Sequence, residues 1–300
     1  MGSDTHQALE TVQQALTRMK RLFAQAGISS AALDARWILV AVTGVRLEQL
    51  VCQPDWIVTG PQAIRLDAMT SRRLAREPVS RILGCREFYG RSFLITPDVL
   101  DPRPDTETVI ETTLTIGRRE GWFDRPISIL DLGTGSGAIL LTLLAEFPRA
   151  TGTGIDVSAE ALTCAAANAQ ALGLAGRCRF ERRDIADACD AGIDLIVSNP
   201  PYIPTGEIDG LGAEVANFDP RAALDGGADG LAFYRVIVSR HLASLRAAPG
   251  PHWLVLEVGA GQSGQVIGMI RGQGLGTAPG TFIQTTDLNG HIRCIAIKTQ

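Results

Sequence analysis

The chain has 300 residues, of which 45% are hydrophobic and 20% charged, and this composition is typical of a globular protein with one large domain or two unequal ones. Its net charge of −4 at pH 7 argues against a dominant contact with nucleic-acid phosphates. The longest apolar run, Trp37 to Val45, is too short to cross a bilayer, and the N-terminus lacks the pattern of a signal peptide. We therefore expect a cytoplasmic protein without membrane contact.

The six cysteines and four histidines are dispersed along the chain, and no C-x-x-C pair occurs. This distribution favours reduced thiols over disulfides or zinc ligands. We expect no metal site.

The first 84 residues predict a small bundle of helices. Apolar residues recur at helical spacing near the N-terminus, and a second helix can start at Ser29 or Ser30 and end at Gly44. A third is expected to begin at Pro61, a residue favoured in the first helical turn. The arginines at positions 72, 73 and 76 crowd this third helix. Solvated surface is the favoured interpretation for them, and docking of a partner is the alternative.

The hydrophobic pattern changes at residues 85–98. Two short runs of alternating residues flank Gly90-Arg91, which predicts a β-hairpin. We interpret residues 85–98 as a linker between a helical domain at 1–84 and a larger domain at 99–300.

From about residue 105, strands and helices alternate, which predicts an α/β fold with a largely parallel, Rossmann-like sheet covered on both faces. Strands are expected at 127–131, 151–156, 177–182, 193–198, 252–258, 281–285 and 291–298. Helices are expected near 105–118, 137–146, 158–172, 229–246 and 262–271. The connection from Asp287 to Gly290 is too short for a crossover helix, so the seventh strand must run antiparallel to the sixth.

A glycine-rich loop follows the first strand of this sheet. It consists of Gly133, Thr134, Gly135, Ser136 and Gly137. Its G-x-G-x-G spacing differs from the G-x-G-x-x-G of dinucleotide-binding loops, which disfavours a pyrophosphate site. Asp131, at the end of the strand, points instead to a cationic ligand such as a sulfonium amino acid.

Acidic residues also end the next two strands. Asp156 lies about 20 residues after the loop, where a carboxylate can accept both hydroxyls of a ribose. Asp184 can accept from an adenine amine while Ile185 covers the ring, although Asp184 could instead pair with Arg182 or Arg183 on the surface. A nucleoside with a sulfonium tail is S-adenosylmethionine, which we predict as the cofactor.

The fourth strand runs directly into Asn199-Pro200-Pro201-Tyr202. Neither proline has an N–H group, so the Pro200 carbonyl is held as an acceptor beside the Asn199 side-chain oxygen. Two acceptors and an aromatic ring suit a planar target that carries an NH₂ group, either an amide or a base amine. The alternative is a turn that merely ends a strand.

Together with Pro102-Arg103-Pro104-Asp105-Thr106-Glu107 and Asp219-Pro220-Arg221, these motifs resemble those of the HemK/PrmC protein-glutamine methyltransferases, a class I S-adenosylmethionine-dependent family. The resemblance covers nearly the whole chain. It implies methylation of the glutamine of the Gly-Gly-Gln motif in bacterial peptide chain release factors, with the helical domain recognising the substrate.

The resemblance also implies roles for single residues. Asn199, Pro200 and Tyr202 would be catalytic, and Asn199 would touch the cofactor as well. Pro201, Arg103 and Glu107 would join them in binding the substrate. We expect a monomer with a release factor as partner and no direct contact with nucleic acid.

Other functions remain open at this point. The sequence Asn199-Pro200-Pro201-Tyr202, the acceptor motif, also suits a methyltransferase acting on adenine or cytosine, or on a ribosomal-protein glutamine. A nicotinamide oxidoreductase would leave the motif without a role, and a catalytically silent binding protein would not need it intact. The segment from Ile203 to Gly227 is long for a connection, and we interpret it as a substrate-facing loop; a mobile surface loop is the alternative.

Overall fold

The computed structural model describes residues 10–187, 192–276, 278, 280–287 and 289–299. Leu288 of the short turn before the last strand lies outside these ranges. So do residues 1–9, where the first predicted helix begins. The chain divides into two compact units, Met1–Gly84 and Cys85–Gln300.

The first unit is helical. Its helices are α1 (Val12–Gln25), α2 (Ala31–Thr43), α3 (Gln49–Cys52), α4 (Gly60–Leu74) and α5 (Val79–Leu83). The apolar face of α1 buries Met19 and Phe23 against Ile38 and its neighbours in α2. Gly44 ends α2 in the left-handed conformation, as expected from the sequence, while α4 begins one residue before Pro61.

The prediction that the arginines of α4 lie at a solvated surface was wrong for Arg73. The Arg73 side chain is only 2% exposed, and its Nε donates to Asp34 Oδ2 of α2 over 2.7 Å. Burial of this guanidinium is tolerated because a carboxylate on the neighbouring helix compensates its charge. Arg72 does lie at the surface, where its side chain is 45% exposed and pairs with Glu77.

The second unit begins with a hairpin of β1 (Cys85–Phe88) and β2 (Arg91–Leu94). Phe88 and Phe93 meet edge to face with ring centroids 6.2 Å apart, and both belong to the hydrophobic core of this unit. The hairpin therefore packs as part of the second unit.

Seven strands within the described residues form the main sheet. They are β3 (Ser128–Leu132), β4 (Thr151–Asp156), β5 (Cys178–Arg182), β6 (Leu195–Ser198), β7 (Trp253–Glu257), β8 (Phe282–Thr286) and β9 (Ile292–Lys298). Their order is β5-β4-β3-β6-β7-β9-β8, and β9 runs antiparallel to both of its neighbours. The α/β fold with one antiparallel strand is confirmed, and each predicted strand lies within two residues of an observed one.

The helices of this unit are α6 (Glu107–Glu120), α7 (Ala138–Glu146), α8 (Ala159–Ala171), α9 (Ala213–Ala216), α10 (Ala232–Val236), α11 (Ala243–Ala247) and α12 (Ser263–Gly272). The single helix predicted at 229–246 is α10 and α11 joined through a π-helical segment, Ile237–Leu242. Within the described residues, no helix has the length and apolar character needed to span a membrane.

The strand order reverses at β3, which lies between β4 on one side and β6 on the other. Ligands of such sheets bind outside the carboxyl ends of the strands next to this reversal. The fold therefore directs attention to the residues that follow β3, β4 and β6.

Candidate active site

The glycine loop after β3 is a tight, hydrogen-bonded turn. Gly133, Gly135 and Gly137 have φ values of 71°, 56° and 80°, which glycine adopts without strain. The Gly135 N–H donates to Asp156 Oδ2 over 3.0 Å and so links the loop to the end of β4. The Ser136 carbonyl accepts from Asn168 of α8 over 2.9 Å. The loop is thus held at both ends before any ligand binds.

Asp131 is a buried carboxylate beneath this loop. Its Oδ2 accepts from Thr134 Oγ1 over 2.7 Å, and its Oδ1 has no hydrogen-bond partner among the described residues. Burial raises the pKa of Asp131 to about 7, and the nearby charge of Asp156 adds to the rise. A buried carboxylate with an unfilled oxygen is suited to a cationic ligand.

Next to the loop lies a cavity of about 630 Å³, within the size range of small-molecule sites. Among the residues that line it are Gly133, Gly135, Asp156, Asp184, Ile185 and Asn199. Six of the ten predicted cofactor residues therefore meet at one cavity. The other four, Asp131, Thr134, Ser136 and Gly137, are buried and do not line it.

The Asp156 carboxylate is fixed in place by main-chain donors. Its Oδ1 accepts from the Ser158 N–H and its Oδ2 from the Gly135 N–H, both over 3.0 Å. Each oxygen keeps a lone pair, so the group can still accept from a ligand in the cavity.

Asp184 and Ile185 close another part of the cavity wall. Asp184 Oδ1 accepts from the Ala186 N–H over 2.8 Å, which shapes the turn after β5. The Ile185 side chain is buried, and its carbonyl lies 2.5 Å from His241 Nε2 of the π-helical segment. Arg182 donates to the Val157 carbonyl over 3.0 Å.

The acceptor motif forms the boundary between two cavities. A smaller cavity of about 200 Å³ is lined by Asn199, Pro200 and Tyr202, and also by Arg103. Asn199 lines the larger cavity as well, whereas Pro201 lines only the larger one. Asn199 is therefore the member of the motif that faces both spaces.

The Asn199 amide has a defined orientation. Its Nδ2 donates to Thr106 Oγ1 over 3.2 Å, which leaves Oδ1 as the end available to a ligand. Pro200 is buried beside it, and its nitrogen cannot donate. The site thus presents oxygen acceptors, as a target with N–H groups requires.

Tyr202 is held through both its hydroxyl and its main chain. The hydroxyl donates to Glu257 Oε1 over 3.4 Å, and burial raises the pKa of the Tyr202 phenol above its usual value. The Tyr202 carbonyl accepts from Gln262 Nε2 over 2.8 Å. These contacts fix the aromatic ring at the edge of the smaller cavity.

Arg103 and Glu107, which were predicted to bind the substrate, have different environments. Arg103 lines the smaller cavity and forms an ion pair with the buried Asp219. Glu107 lines neither cavity, and its Oε1 accepts from the Tyr89 N–H of the hairpin over 3.0 Å. Its observed contact is with the hairpin.

The long segment after the acceptor motif contains short helices rather than an open loop. They are Thr205–Gly210, Ala213–Ala216 and Arg221–Ala223. Ile203 pairs with Asp225 in a parallel bridge, so the ends of the segment meet. Leu211, Val215 and Leu224 line the smaller cavity, which favours the substrate-facing interpretation.

Thr106 entered the sequence argument only as part of the Pro-Arg-Pro-Asp-Thr-Glu motif, without a role of its own. Three other residues near the site did not enter it at all: Asn168, Glu257 and Gln262. Glu257 carried a usable signal, because it is the last residue of a buried strand, as Asp156 is of β4. The others contact the site from elements far away in the sequence, and no local pattern marks them.

Family comparisons match both units. The PrmC N-terminal domain family matches residues 14–84, and the methyltransferase small domain family matches residues 123–214. A release factor glutamine methyltransferase of Rhodospirillum rubrum is 46% identical over 91% of this chain and 80% of its own length. One from Cereibacter sphaeroides is 39% identical over 97% and 98% of the two chains.

Solved structures share the fold at low sequence identity. The catalytic domain of human METTL16 in complex with an RNA hairpin superimposes with a TM-score of 0.56 at 16% identity and covers 81% of this chain and 83% of its own. The N-terminal domain of human METTL16 in complex with S-adenosylhomocysteine gives 0.51 at 15% identity, over 93% and 94% of the chains.

Proposed function

The chain belongs to the family of release factor glutamine methyltransferases, and we propose that it methylates the side-chain amide nitrogen (N5) of the glutamine in the Gly-Gly-Gln motif of bacterial peptide chain release factors. It is an S-adenosylmethionine-dependent protein-glutamine methyltransferase. The observation that carries the proposal is the position of Asn199, which borders both a cofactor-sized cavity and a smaller one.

The residues around the larger cavity fit S-adenosylmethionine. Asp131 offers negative charge for the cationic amino-acid end, Asp156 offers acceptors for the ribose, and the Asp184–Ile185 pair suits the adenine. When bound, the cofactor supplies a methyl group on a sulfonium, and it is released as S-adenosylhomocysteine. No nucleophilic side chain is therefore required.

The acceptor motif would hold the glutamine amide by its two N–H groups. Asn199 Oδ1 and the Pro200 carbonyl accept them, and the Tyr202 ring packs on the amide plane. This arrangement aims the nitrogen lone-pair direction at the cofactor cavity and stabilises positive charge as it grows on nitrogen. Positioning of this kind contributes on the order of 7–11 kcal/mol to a rate enhancement.

The smaller cavity suits the side chain of a protein substrate. Its walls include Leu211, Val215 and Leu224, which match the apolar methylene groups of glutamine. Arg103, already paired with Asp219, keeps further N–H donors for a main-chain carbonyl at the entrance. We therefore propose that Arg103 binds the protein substrate. Glu107 contacts the hairpin, and this contact gives no support to a role in substrate binding.

The helical unit is our candidate for recognition of the release factor. Residues 1–84 contain ten Lys and Arg against seven Asp and Glu, a net charge of +3, so the second unit carries −7. Such asymmetry favours separate roles for the two units, with the acidic one poorly suited to a nucleic acid. The absence of direct nucleic-acid binding, the monomeric state and the cytoplasmic location stay predictions, and sedimentation with and without RNA checks the first two.

The proposed function is tested by transfer of radiolabelled methyl groups to purified release factor. We expect label in the wild-type factor and none in a variant whose Gly-Gly-Gln glutamine is replaced by alanine. Replacement of a glutamine elsewhere in the factor is the matched control and should leave labelling unchanged. Label that persists in the Gly-Gly-Gln variant would overturn the substrate assignment.

A further inference from the structure

The π-helical segment Ile237–Leu242, between α10 and α11, buries a histidine beside the cofactor cavity. His241 is 1% exposed, and its Nε2 lies 2.5 Å from the carbonyl oxygen of Ile185, 56 residues earlier in the chain. A π-helical turn takes up an extra residue and so redirects the side chains around it, and such turns are frequent at functional sites. Neither the predicted cofactor residues nor the acceptor motif includes this histidine.

The contact between His241 and Ile185 has one direction. A main-chain carbonyl only accepts, so His241 Nε2 must carry the proton and donate it. Burial lowers the pKa of His241 below its usual value, which keeps the ring neutral at pH 7 and leaves a lone pair on Nδ1. Nδ1 has no hydrogen-bond partner among the described residues. The polar contact of this buried ring is therefore the one to Ile185.

Ile185 belongs to a short turn that forms part of the cavity wall. Its buried side chain packs over the glycine loop, since a Cβ atom added to Gly133 would lie 3.8 Å from Ile185 Cδ1. The preceding residue, Asp184, also lines the cavity, and its carbonyl accepts from the Asp187 N–H over 2.9 Å. His241 thus holds the main chain of the turn that carries two of the cavity-lining residues.

The helical run that contains His241 also reaches the cavity directly. Phe233 of α10 lines the cavity, and Ile237 and Leu242 pack in the same hydrophobic cluster as Ile185. Apolar packing is not directional, whereas a hydrogen bond fixes the orientation of the group that accepts it. The histidine therefore supplies the directional contact between this helical run and the turn.

We propose that His241 is a positioning residue for the cofactor, which holds the turn at Asp184 and Ile185 in the conformation that receives the adenine. The inference rests on the proposed placement of the adenine beside these two residues. Without the hydrogen bond, the cofactor must order the turn when it binds, and this cost weakens its affinity. Turnover at saturating cofactor should be preserved, because His241 lines neither cavity.

The test compares His241→Leu, which removes the donor but keeps an apolar side chain, with His241→Gln, whose NH₂ group can reach the same carbonyl. We expect the dissociation constant of S-adenosylmethionine, measured by calorimetry, to rise about tenfold in His241→Leu, as for loss of a buried hydrogen bond. His241→Gln should recover most of the affinity. In both variants kcat at saturating cofactor should stay within about twofold of the wild type.

His252 provides a matched control in the same unit. It is 7% exposed, and its Nδ1 lies 2.6 Å from the carbonyl oxygen of Ile193. These two residues precede β7 and β6, so their contact lies at the amino ends of the strands, away from the cofactor cavity. His252→Leu should lower the melting temperature but keep the dissociation constant within about twofold. Equal losses of affinity in His252→Leu and His241→Leu would indicate a general effect of destabilisation and contradict the inference.

A double-mutant cycle tests whether His241 acts through the turn. In a background with Asp184→Ala and Ile185→Ala, the turn no longer presents its side chains to the adenine, so His241→Leu should cause little further loss of affinity. A folded His241→Leu with the wild-type dissociation constant would overturn the inference. So would a loss that multiplies fully with that of the background.

The tautomer of His241 gives an independent check. Nitrogen NMR of the imidazole should show a proton on Nε2 and none on Nδ1 at pH 7. The opposite tautomer would remove the hydrogen bond on which the inference rests.

Failure of this inference can be told apart from failure of the proposed function. Wild-type enzyme that binds S-adenosylmethionine but leaves the release factor unlabelled refutes the proposed substrate and leaves the role of His241 standing, because affinity is measured without the release factor. Full affinity in Ile185→Ala combined with Asp184→Ala refutes the placement of the adenine and removes this inference with it. Full affinity in His241→Leu alone refutes only the positioning role.

Discussion

Single side chains at this site combine a fixed geometry with an unused hydrogen-bonding capacity. Asn199 is tied at Nδ2 to Thr106, and Asp131 is tied at Oδ2 to Thr134. In each case one polar atom is held by the protein. The Asn199 Oδ1 end is left at the cavities, whereas the buried Asp131 carboxylate lies beneath the glycine loop and does not line the larger cavity. Electrostatic groups fixed before the reaction stabilise a transition state without the cost of reorganisation.

Asn199→Ala should lower kcat by roughly 10²–10³-fold, the usual cost of removing one preorganised group that faces developing charge. The dissociation constant of S-adenosylmethionine, measured by calorimetry, should change much less, because Asn199 acts mainly on the acceptor amide. Asn289→Ala in the turn before β9 is the control and should match the wild type. Equal losses in cofactor affinity and turnover would contradict the assigned role.

Cofactor affinity should depend on pH through Asp131. Burial raises its pKa to about 7 in the free enzyme, with a further contribution from Asp156, and only the ionised form attracts a cation. Between pH 6 and pH 8 the ionised fraction rises from about 0.1 to about 0.9, so the dissociation constant should fall about tenfold.

Asp131→Asn serves as the control for this titration, since an amide does not ionise in this range. It should bind more weakly and lose that fall in the dissociation constant between pH 6 and pH 8. A wild-type enzyme with the same affinity at both pH values would disprove the role of Asp131.

Among the structural elements, the loop after β7 supports the acceptor motif from a distant part of the chain. Gln262 donates to the Tyr202 carbonyl over 2.8 Å and accepts from the Gly259 N–H over 3.2 Å. Gly230 lies against the same contact, because a Cβ atom there would be 2.4 Å from the Tyr202 oxygen and 2.6 Å from Gln262 Nε2. Close packing of three segments thus fixes the backbone of Tyr202.

Gly230→Ala should displace Tyr202 and lower kcat by on the order of 10²-fold, the cost of a misplacement near 1 Å. Gly173→Ala is a matched control, because Gly173 has φ of 70° against 73° for Gly230 but no atom within 4 Å of its added Cβ. Backbone strain should cost both variants about 1–2 kcal/mol of stability, measured by urea unfolding, and Gly230→Ala should lose more because its Cβ atom also overlaps its neighbours. Similar kcat values for the two would show that the close contact does not position Tyr202.

At the scale of the whole molecule, binding of the cofactor should raise the free energy of unfolding of the second unit. The residues that line both cavities lie between positions 97 and 233, within that unit. Binding to the folded state alone stabilises it by mass action.

S-adenosylmethionine at one hundred times its dissociation constant should add about 2.7 kcal/mol to the free energy of unfolding of the second unit. Differential scanning calorimetry of the full chain would record this as a shift of one transition. Asp156→Ala should show a much smaller shift at the same cofactor concentration. An unshifted wild-type transition would argue against a preformed cofactor site.

The sequence by itself determined the strands, the acids at their ends and the acceptor motif. Strands and turns follow from local periodicity, and in a parallel sheet the ends of neighbouring strands converge whatever the details of packing. Asp156, Asp184 and Asn199 could therefore be assigned to one edge before the structure was known.

The tertiary structure alone decided how those groups are held. Thr106 and Asn199 are 93 residues apart, and Arg73 is buried only because Asp34 of another helix faces it. Glu107 accepts from the Tyr89 N–H of the hairpin, which lies 18 residues before it in the chain. Contacts of this kind depend on helix packing and strand register, which bring together residues that no local pattern links.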